Sequence, residues 1–244
     1  MARSKKKLAI FNIDGTLTDT VAIYHAVFTK AVRFCGLLGG CFYTHYPPAE
    51  RYTDLHILNT VFEESGIDPT IDEVEEFERL LLSITAESLN QIHQINGAID
   101  FVNFMHEETD YAIAYATGTF RLSAELKLSI GFPLNEQVSL FACNTQPSLK
   151  NIMGEAIQKT KSIYAIDKFE RVIVFGHGKW DVEAAEHHSA EFIGIGAKII
   201  RAFSPYPLLR DKFPCFIDYT ELMTSLEPFS RSVRTAPILI PVGA

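Results

Sequence analysis

The first strong pattern in the chain is an apolar run, Leu8–Phe11, which gives way to polar and small residues over 12–19. A short apolar run before a polar, glycine-containing break is typical of a buried parallel strand that leads into a loop. In an open α/β sheet, ligands bind at the loops that follow the carboxyl ends of strands. The pattern therefore predicts a binding site within or beside residues 12–19.

Helical periodicity dominates residues 20–93. Apolar residues recur at helical spacing over 24–32 and over 57–62, and a capping box, Thr70–Glu73, begins a third helix. Residues 40–52 lack such a period, contain two adjacent prolines and are predicted to form a loop. The sequence therefore predicts an all-helical insertion at this point of the chain.

Strand and helix patterns alternate after residue 94. Strands separated by helices of this length predict βαβ units and a parallel sheet. We expect an α/β fold with a Rossmann-like, doubly wound parallel sheet, a core made of residues 1–19 and 94–229, and a tail over 230–244 with no evident partner. The apolar segments predicted to form the later strands are 111–116, 138–142, 171–175, 192–196 and 213–217.

Charge and cysteine content narrow the class of protein. The 244 residues carry a formal net charge of −8, which argues against nucleic acid or an anionic membrane as the main partner. No stretch approaches the ~18 apolar residues of a membrane-spanning helix. The basic cluster Lys5–Lys7 is interpreted as a solvated tail and not as part of a signal peptide. The four cysteines lack CxxC spacing and are expected to be reduced and mostly buried, which together predicts a soluble, cytoplasmic protein.

The stretch after the first strand resembles the first motif of the haloacid dehalogenase-like (HAD) phosphohydrolases. That motif is a hydrophobic strand followed by Asp-x-Asp-Gly-Thr-Leu, and this chain has Asn12-Ile-Asp14-Gly-Thr-Leu. The resemblance extends from Leu8 to about Leu226, and the overall pattern is similar to the phosphoglycolate phosphatase-like members. It implies a HAD-like core with a helical cap at 20–93, a magnesium cofactor and a small phosphorylated metabolite as substrate.

The resemblance assigns roles to residues at two strand ends. Asn12 stands where the family has its nucleophilic Asp, and a neutral amide cannot give the same aspartyl-phosphate intermediate. Asp14 matches the general acid/base, although a turn-forming Asp before glycine is the alternative. Thr117 matches the residue that binds a phosphoryl oxygen, and the backbone N–H groups of Gly118 and Thr119 would add anion donors. A helix-capping Thr is the alternative for that position.

The third and fourth motifs depart further from the family pattern. Lys150 is the nearest cation to the third-motif slot, displaced by one position, and reaches either the site or solvent. His177 stands where the fourth motif has a magnesium-binding Asp. Asp181 keeps its place at a helix N-terminus, where it either orients the site or is an ordinary first-turn acid.

A cap segment of the family reads Gly-x-Thr-Asp, and Arg51, Thr53 and Asp54 resemble it with Arg in place of Gly. Arg51 either clamps an anionic substrate or is an exposed surface residue. The resemblance implies that this segment helps to select the substrate.

The departures at the metal site act in one direction. The family pattern would place a metal at Asn12, Asp14, His177 and Asp181, but two of these four positions have lost a carboxylate. Magnesium prefers charged oxygen ligands, so its affinity is expected to be weakened, with the metal absent or replaced by zinc, nickel or iron. A less negative pocket also repels phosphate less.

These observations lead to three hypotheses for the function. In the first, the chain is a phosphohydrolase whose activity is weak or lost: it is either disabled or works slowly by another route, such as water activated by Asp14. Alternatively it is a non-catalytic pseudophosphatase that binds a phosphometabolite, or an engineered inactive variant of an active phosphatase. The sequence leaves the substrate and the oligomeric state open.

Overall fold

The computed structural model describes residues 5–37, 53–144 and 146–225, and within them the chain forms one six-stranded parallel sheet. The strands lie in the order β3-β2-β1-β4-β5-β6. The predicted loop 40–52, Arg51 and the tail 230–244 lie outside the described residues. The strands are β1 (Lys7–Phe11), β2 (Tyr111–Ala116), β3 (Ser139–Phe141), β4 (Arg171–Gly176), β5 (Glu191–Ile195) and β6 (Cys215–Phe216).

The central strands are buried on both faces. β1 pairs in parallel with β2 on one side and with β4 on the other, so that Lys7 lies level with Tyr111 and Arg171. Every residue of β2 is buried. Continuous apolar runs of this kind belong to parallel sheets that helices cover from both sides. The predicted α/β class and doubly wound sheet are therefore confirmed.

The path of the chain creates a crevice at one edge of the sheet. From β1 the chain runs outward through β2 and β3, and β4, β5 and β6 then extend the sheet on the opposite side of β1. Where the strand order reverses in this way, the loops after the carboxyl ends of the strands diverge and leave room for a ligand. The segments that meet there are 12–20, 117–120 and 177–178.

Helices alternate with loops between the strands in the part of the chain that the structure describes. The capping box at Thr70 forms as predicted, whereas the three short helices near the C-terminal end of the described chain were not predicted. The helices are α1 (Val21–Phe34), α2 (Asp54–Glu64), α3 (Ile71–Glu87), α4 (Ala98–Glu108), α5 (Arg121–Leu128), α6 (Leu149–Ile163), α7 (Lys179–His187), α8 (Ala197–Phe203), α9 (Pro207–Lys212) and α10 (Tyr219–Ser225), with a short 3-10 turn at Leu89–Gln91.

Aromatic side chains fasten the helices that follow β1 onto the core. Phe28 of α1 packs edge-on against Phe77 of α3, with ring centroids 5.3 Å apart. Phe77 in turn lies 6.3 Å from Phe120, in the loop after β2. Burying a phenylalanine stabilises a fold by roughly 1.5–3 kcal/mol. These helices fall within the predicted insertion, whose boundaries at 20 and 93 stay a prediction.

Two expectations about the periphery need correction. Lys7 is not part of a solvated tail, because it begins β1 and its Nζ lies 3.1 Å from Asp110 Oδ2. Of the three described cysteines only Cys143 is buried, while Cys35 is exposed and Cys215 is half-buried, and all three are free thiols. No helix in the described part of the chain is long and apolar enough to cross a membrane.

Candidate functional site

Asn12 immediately follows β1 and is held from both ends of its amide. Its Nδ2 donates to Asp181 Oδ1 at 3.0 Å, and its Oδ1 accepts from the backbone N–H of Ile13 at 2.7 Å. The backbone N–H of Asn12 donates to the Phe175 carbonyl, which continues the ladder between β1 and β4. The side chain is therefore fixed in one orientation, with its amide nitrogen toward a carboxylate.

Asp181 lies in the first turn of α7 and is almost completely buried. Besides the Asn12 amide, its carboxylate accepts from the backbone N–H of His177 at 2.9 Å and of Gly178 at 3.1 Å. Burial raises the pKa of Asp181 to about 7, against the lowering effect of these hydrogen bonds. The close packing of Asp181 also explains why residue 176 is glycine, because a Cβ at Gly176 would lie 2.4 Å from the Asp181 Cβ. Asp181 thus orders the loop after β4.

His177 is buried between the loops that follow β1 and β4. Its Nδ1 lies 3.4 Å from Thr16 Oγ1 and 3.7 Å from Asp181 Oδ2. Trp180 contacts the ring edge-on at a centroid distance of 5.1 Å. Burial, reinforced by the positive charge of Lys198, lowers the pKa of His177 to about 4. The imidazole is therefore neutral at physiological pH.

Asp14 is surrounded by hydrogen-bond donors. Lys127 Nζ lies 2.7 Å from its Oδ1 and 2.9 Å from its Oδ2, while Thr119 Oγ1 donates to Oδ2 at 2.7 Å and Thr20 donates to Oδ1. Burial alone would raise the pKa of Asp14, but the Lys127 charge and these hydrogen bonds together hold it below its usual value. Asp14 is consequently an ionised, fully engaged carboxylate.

Lys127, which the sequence reasoning missed, is a fully buried cation on α5. Its Nζ donates to both carboxylate oxygens of Asp14. The same Nζ lies 3.3 Å from the centroid of the Tyr24 ring, which is a cation–π contact. A signal for it exists in the sequence, because Lys127 follows Ser123 by four residues and Ala124 by three, and both lie on the buried face of the helix. A lysine on an apolar helix face indicates a paired cation more often than a solvated one.

The loop after β2 is a tight turn in which side chains and backbone satisfy one another. Thr117 Oγ1 accepts from the backbone N–H of Thr119 at 3.2 Å, a bond within the turn, because the residue that caps α5 is Phe120. The Gly118 carbonyl accepts from the backbone N–H of Asp54 at 2.7 Å. Both threonines are buried. The structure thus brings Thr119 into contact with Asp14, whereas Thr117 bonds within the turn beside it, and a phosphate-binding role for Thr117 stays a prediction.

Thr53 and Asp54 join α2 to the core. Thr53 Oγ1 donates to the Pro147 carbonyl at 2.8 Å and caps α2 by accepting from His56. Asp54 Oδ2 accepts from Tyr24 Oη at 2.6 Å and from the backbone N–H of Phe120 at 2.9 Å. Burial raises the pKa of Asp54 to about 7. These contacts hold α2 against the core. A role of Thr53 and Asp54 in substrate selection stays a prediction.

Lys150 is exposed in the first turn of α6, where its carbonyl contacts His188 Nε2 at 2.7 Å. The structure brings Lys127, not Lys150, into contact with Asp14. Five of the predicted residues form two linked groups. One is Asn12 with His177 and Asp181, and the other is Asp14 with Thr119.

The residues at the predicted metal position do not fit magnesium. The Asn12 amide and the neutral His177 imidazole supply no charge, and the Asp181 carboxylate accepts from the Asn12 amide and from the backbone N–H groups of His177 and Gly178. Magnesium requires hard, charged oxygen ligands at short distance in near-octahedral geometry. Within the described residues, no group of three or more His, Cys, Asp or Glu side chains is arranged to hold a metal ion. No step of a reaction is therefore assigned to a metal here.

Comparison with known families identifies the class. The family model for haloacid dehalogenase-like hydrolases matches residues 6–188, three quarters of the chain. The chain therefore belongs to the haloacid dehalogenase-like hydrolase family. A comparison with curated proteins gives no match.

Solved structures share the fold at low sequence identity. A hydrolase from Pseudomonas syringae is 17% identical, with a TM-score of 0.62 over 92% of this chain and 100% of that one. CbbY from Rhodobacter sphaeroides, solved in complex with phosphate, is 15% identical, with a TM-score of 0.63 over 89% of this chain and 96% of its own. A predicted phosphoglycolate phosphatase from Haemophilus somnus is 14% identical, with a TM-score of 0.59 over 93% and 100% of the two chains. At these identities the likeness establishes the fold alone.

Proposed function

We propose that this protein is a phosphohydrolase of the haloacid dehalogenase-like family that recognises a small organic phosphate and whose hydrolytic activity is weak or lost. The observation that carries the proposal is the orientation of Asn12. The residue stands at the nucleophile position, and its amide nitrogen donates to Asp181 at 3.0 Å. A phosphoryl-transfer enzyme of this type needs an anionic oxygen there to attack phosphorus.

The surrounding groups do not replace the missing nucleophile efficiently. A slow route would use water activated by Asp14, but a general base works best when its pKa lies near the working pH. The pKa of Asp14 is held below its usual value, and both its oxygens accept hydrogen bonds. Asp14 is for that reason a weak base and, being ionised, a weak acid for a leaving group. Turnover by this route is expected to be slow.

Phosphate recognition is supported better than hydrolysis. The strand-end turn at Thr117 and Gly118 adjoins Asp14, and backbone N–H groups at such a turn bind anions. Neutral Asn12 and His177 in place of two carboxylates reduce the repulsion of a phosphate. Members of the structural neighbourhood include a protein solved with phosphate and a putative β-phosphoglucomutase from Thermotoga maritima. These support a small phosphorylated metabolite as the ligand class; that the helical insertion is its cap and that magnesium dependence is weakened are further parts of the proposal, which rest on the resemblance of the motifs.

A second candidate function is that of a pseudophosphatase that binds a phosphometabolite without converting it. The observation that favours this candidate is that Lys127 Nζ contacts both oxygens of Asp14. The family's acid/base residue is then unavailable for proton transfer, and the pocket is left to bind a ligand only.

One set of assays separates the two candidates. Magnesium-dependent hydrolysis of a panel of small phosphates would be measured for the wild-type chain, Asn12→Asp and Asn12→Asp/His177→Asp. Asn151→Asp, an exposed Asn to Asp change, is the matched control. Slow wild-type turnover that rises in the reverted variants supports the first candidate. Phosphate-dependent stabilisation without turnover in any variant supports the second, and fast wild-type turnover would contradict both.

A further inference from the structure

The loop after β5 brings a lysine, Lys198, to the edge of the sheet that carries the crevice. β5 pairs in parallel with β4, and Gly194 of β5 lies level with Gly176 at the end of β4. The loop after β5 also lies beside the loop after β1, because a Cβ at Gly196 would lie 3.8 Å from the Gly15 carbonyl oxygen. Lys198 follows in the first turn of α8, and none of the motifs considered above includes it.

The Trp180 ring indicates where the Lys198 ammonium lies. Lys198 Nζ is 5.3 Å from the centroid of the Trp180 ring, a cation–π contact, and the same ring contacts His177 edge-on at 5.1 Å. Burial is the main cause of the lowered pKa values of His177 and of His25 on α1, and the positive charge of Lys198 adds to both. The ammonium therefore lies at the rim of the crevice, between the loop after β4 and α1.

The charge of Lys198 is not neutralised by a carboxylate. In the part of the chain that the structure describes, no carboxylate lies within ion-pair distance of its ammonium, whereas Lys127 is paired with Asp14. The Lys198 side chain is exposed, so its ammonium is accessible to a ligand.

The adjoining groove on α1 is also free of acidic side chains among the described residues that line it, although Lys30 pairs with Glu87 across its edge. In a protein with a net charge of −8, this rim is locally positive and attracts anions. The described residues that line the groove are Ala22, His25, Ala26, Thr29, Lys30 and Arg33.

An anion held at this rim is a second group of the ligand and not the phosphate inside the crevice. The turn at Thr117 and Gly118, where the proposed function places the phosphate, follows β2. Lys198 follows β5, and β1 and β4 lie between those two strands. A ligand that reaches both places therefore needs an anionic group at each of its ends.

We propose that Lys198 is a specificity-determining residue that pairs with a second anionic group of the ligand, so that the substrate class is a small organic phosphate with an oxyanion at its other end. The inference rests on the proposed function, because it requires a phosphate bound in the crevice. The ammonium binds the second group through charge-assisted hydrogen bonds, and its contact with Trp180 restricts its positions. A phosphate whose other end is uncharged gains nothing from Lys198.

The test compares pairs of ligands that differ at the end remote from the phosphate. Glycerol 3-phosphate and 3-phosphoglycerate differ by a carboxylate, while fructose 6-phosphate and fructose 1,6-bisphosphate differ by a second phosphate. Isothermal titration calorimetry at matched ionic strength gives each affinity. The wild type is expected to prefer the doubly anionic member of at least one pair by about tenfold, and the pair that shows the preference identifies the oxyanion as carboxylate or phosphate.

The variants assign that preference to the lysine. Lys198→Gln is expected to reduce the preference to about twofold or less by weakening the doubly anionic ligand alone, whereas Lys198→Arg retains most of it. Lys168→Gln, an exposed lysine before β4 at the opposite edge of the sheet, is the matched control and is expected to leave both affinities unchanged. Trp180 is the only tryptophan of the chain, so its fluorescence is expected to respond to the doubly anionic ligand in the wild type and not in Lys198→Gln.

The outcomes separate this inference from the proposed function. A wild type without preference in either pair, or a preference that survives Lys198→Gln, would overturn the inference while the proposed function stands. An equal loss for both members of a pair in Lys198→Gln would overturn it as well, because it would show a general effect on the site. A wild type that binds none of the four phosphates would overturn the proposed function and the inference with it.

Discussion

The Asn12 amide and the Asp181 carboxylate form a complementary buried pair, with Nδ2 and Oδ1 3.0 Å apart. This pair joins the end of β1 to the first turn of α7. An amide donor next to a carboxylate is favourable, whereas two carboxylates at the same distance would repel each other in a buried site. An Asn at position 12 is therefore electrostatically compatible with the Asp181 carboxylate, whereas an Asp would not be.

This complementarity predicts a stability cost for Asn12→Asp. The variant is expected to lose about 1–3 kcal/mol of unfolding free energy at pH 8, because a hydrogen bond becomes a repulsive contact. In the folded variant the two acids retain a proton to higher pH than in the unfolded chain, so its stability falls as pH rises. Urea unfolding at pH 5 and pH 8 measures both effects. A penalty of equal size at the two pH values would contradict the paired-carboxylate explanation.

Tyr24→Phe tests the fastening of α2. The hydroxyl of Tyr24 donates to the buried Asp54 carboxylate at 2.6 Å, and its loss leaves that carboxylate short of a donor. A decrease of about 1–3 kcal/mol in unfolding free energy is expected, measured by chemical denaturation. Phe retains the ring beneath Lys127, so the cation–π contact is not the cause. Tyr206→Phe, at a 55% exposed tyrosine, is the control and is expected to change stability by less than about 0.5 kcal/mol.

The buried His177 predicts a specific contribution to acid sensitivity. Its pKa is about 4 in the folded protein against 6.5 for the ordinary side chain. The unfolded chain therefore binds the extra proton first, and this contribution to stability is lost as pH falls from about 6.5 to 4. The full difference is about 3 kcal/mol.

The comparison that isolates this effect is wild type against His177→Gln. The stability advantage of wild type is expected to be larger at pH 7 than at pH 4, by about 3 kcal/mol. Asp54 and Asp181, whose pKa values are raised to about 7, favour folding more at low pH, but they are present in both proteins and largely cancel. A difference between the two proteins that does not vary with pH would show that His177 does not titrate in this way.

Gly15 supplies a test of the contact between the first and fourth motifs. Gly15 has φ +67°, and a Cβ there would lie 2.7 Å from His177 Cδ2. Gly36 has nearly the same φ, +68°, but a Cβ there would meet no atom within 4 Å. Both substitutions by Ala cost about 1–2 kcal/mol of backbone strain, and Gly15→Ala is expected to cost about 1–3 kcal/mol more because the added Cβ also displaces the imidazole and Val21 Cγ2, which would lie 2.9 Å away. Equal losses in thermal or urea unfolding would exclude that steric contact.

The sequence predicted the sheet well because its strands are continuous apolar runs. The predicted strand 111–116 matches β2 to the residue, and 213–217 contains the edge strand β6. The helices α8, α9 and α10 were missed because none exceeds seven residues. Two turns or fewer of helix display too little of the 3.6-residue period to be recognised.

The candidate site was predicted less completely, and the reason is electrostatic. Motif spacing located Asn12, Asp14 and His177, since those residues sit in loops fixed by the strands before them. Lys127 lies in the last turn of α5 and outside every motif, and although its place on the buried face of that helix indicates a paired cation, only the tertiary contact identifies Asp14 as the partner. The partner of a buried charge is set by packing between distant segments, here 113 residues apart, and sequence spacing carries no record of it.

The fastening of α2 has a kinetic consequence. The backbone N–H of Asp54 donates to Gly118, and the Asp54 carboxylate accepts from the backbone N–H of Phe120. Neither amide hydrogen can exchange with solvent deuterium unless α2 separates from the loop after β2. The two therefore report one shared local opening, whose free energy native-state hydrogen exchange measures directly.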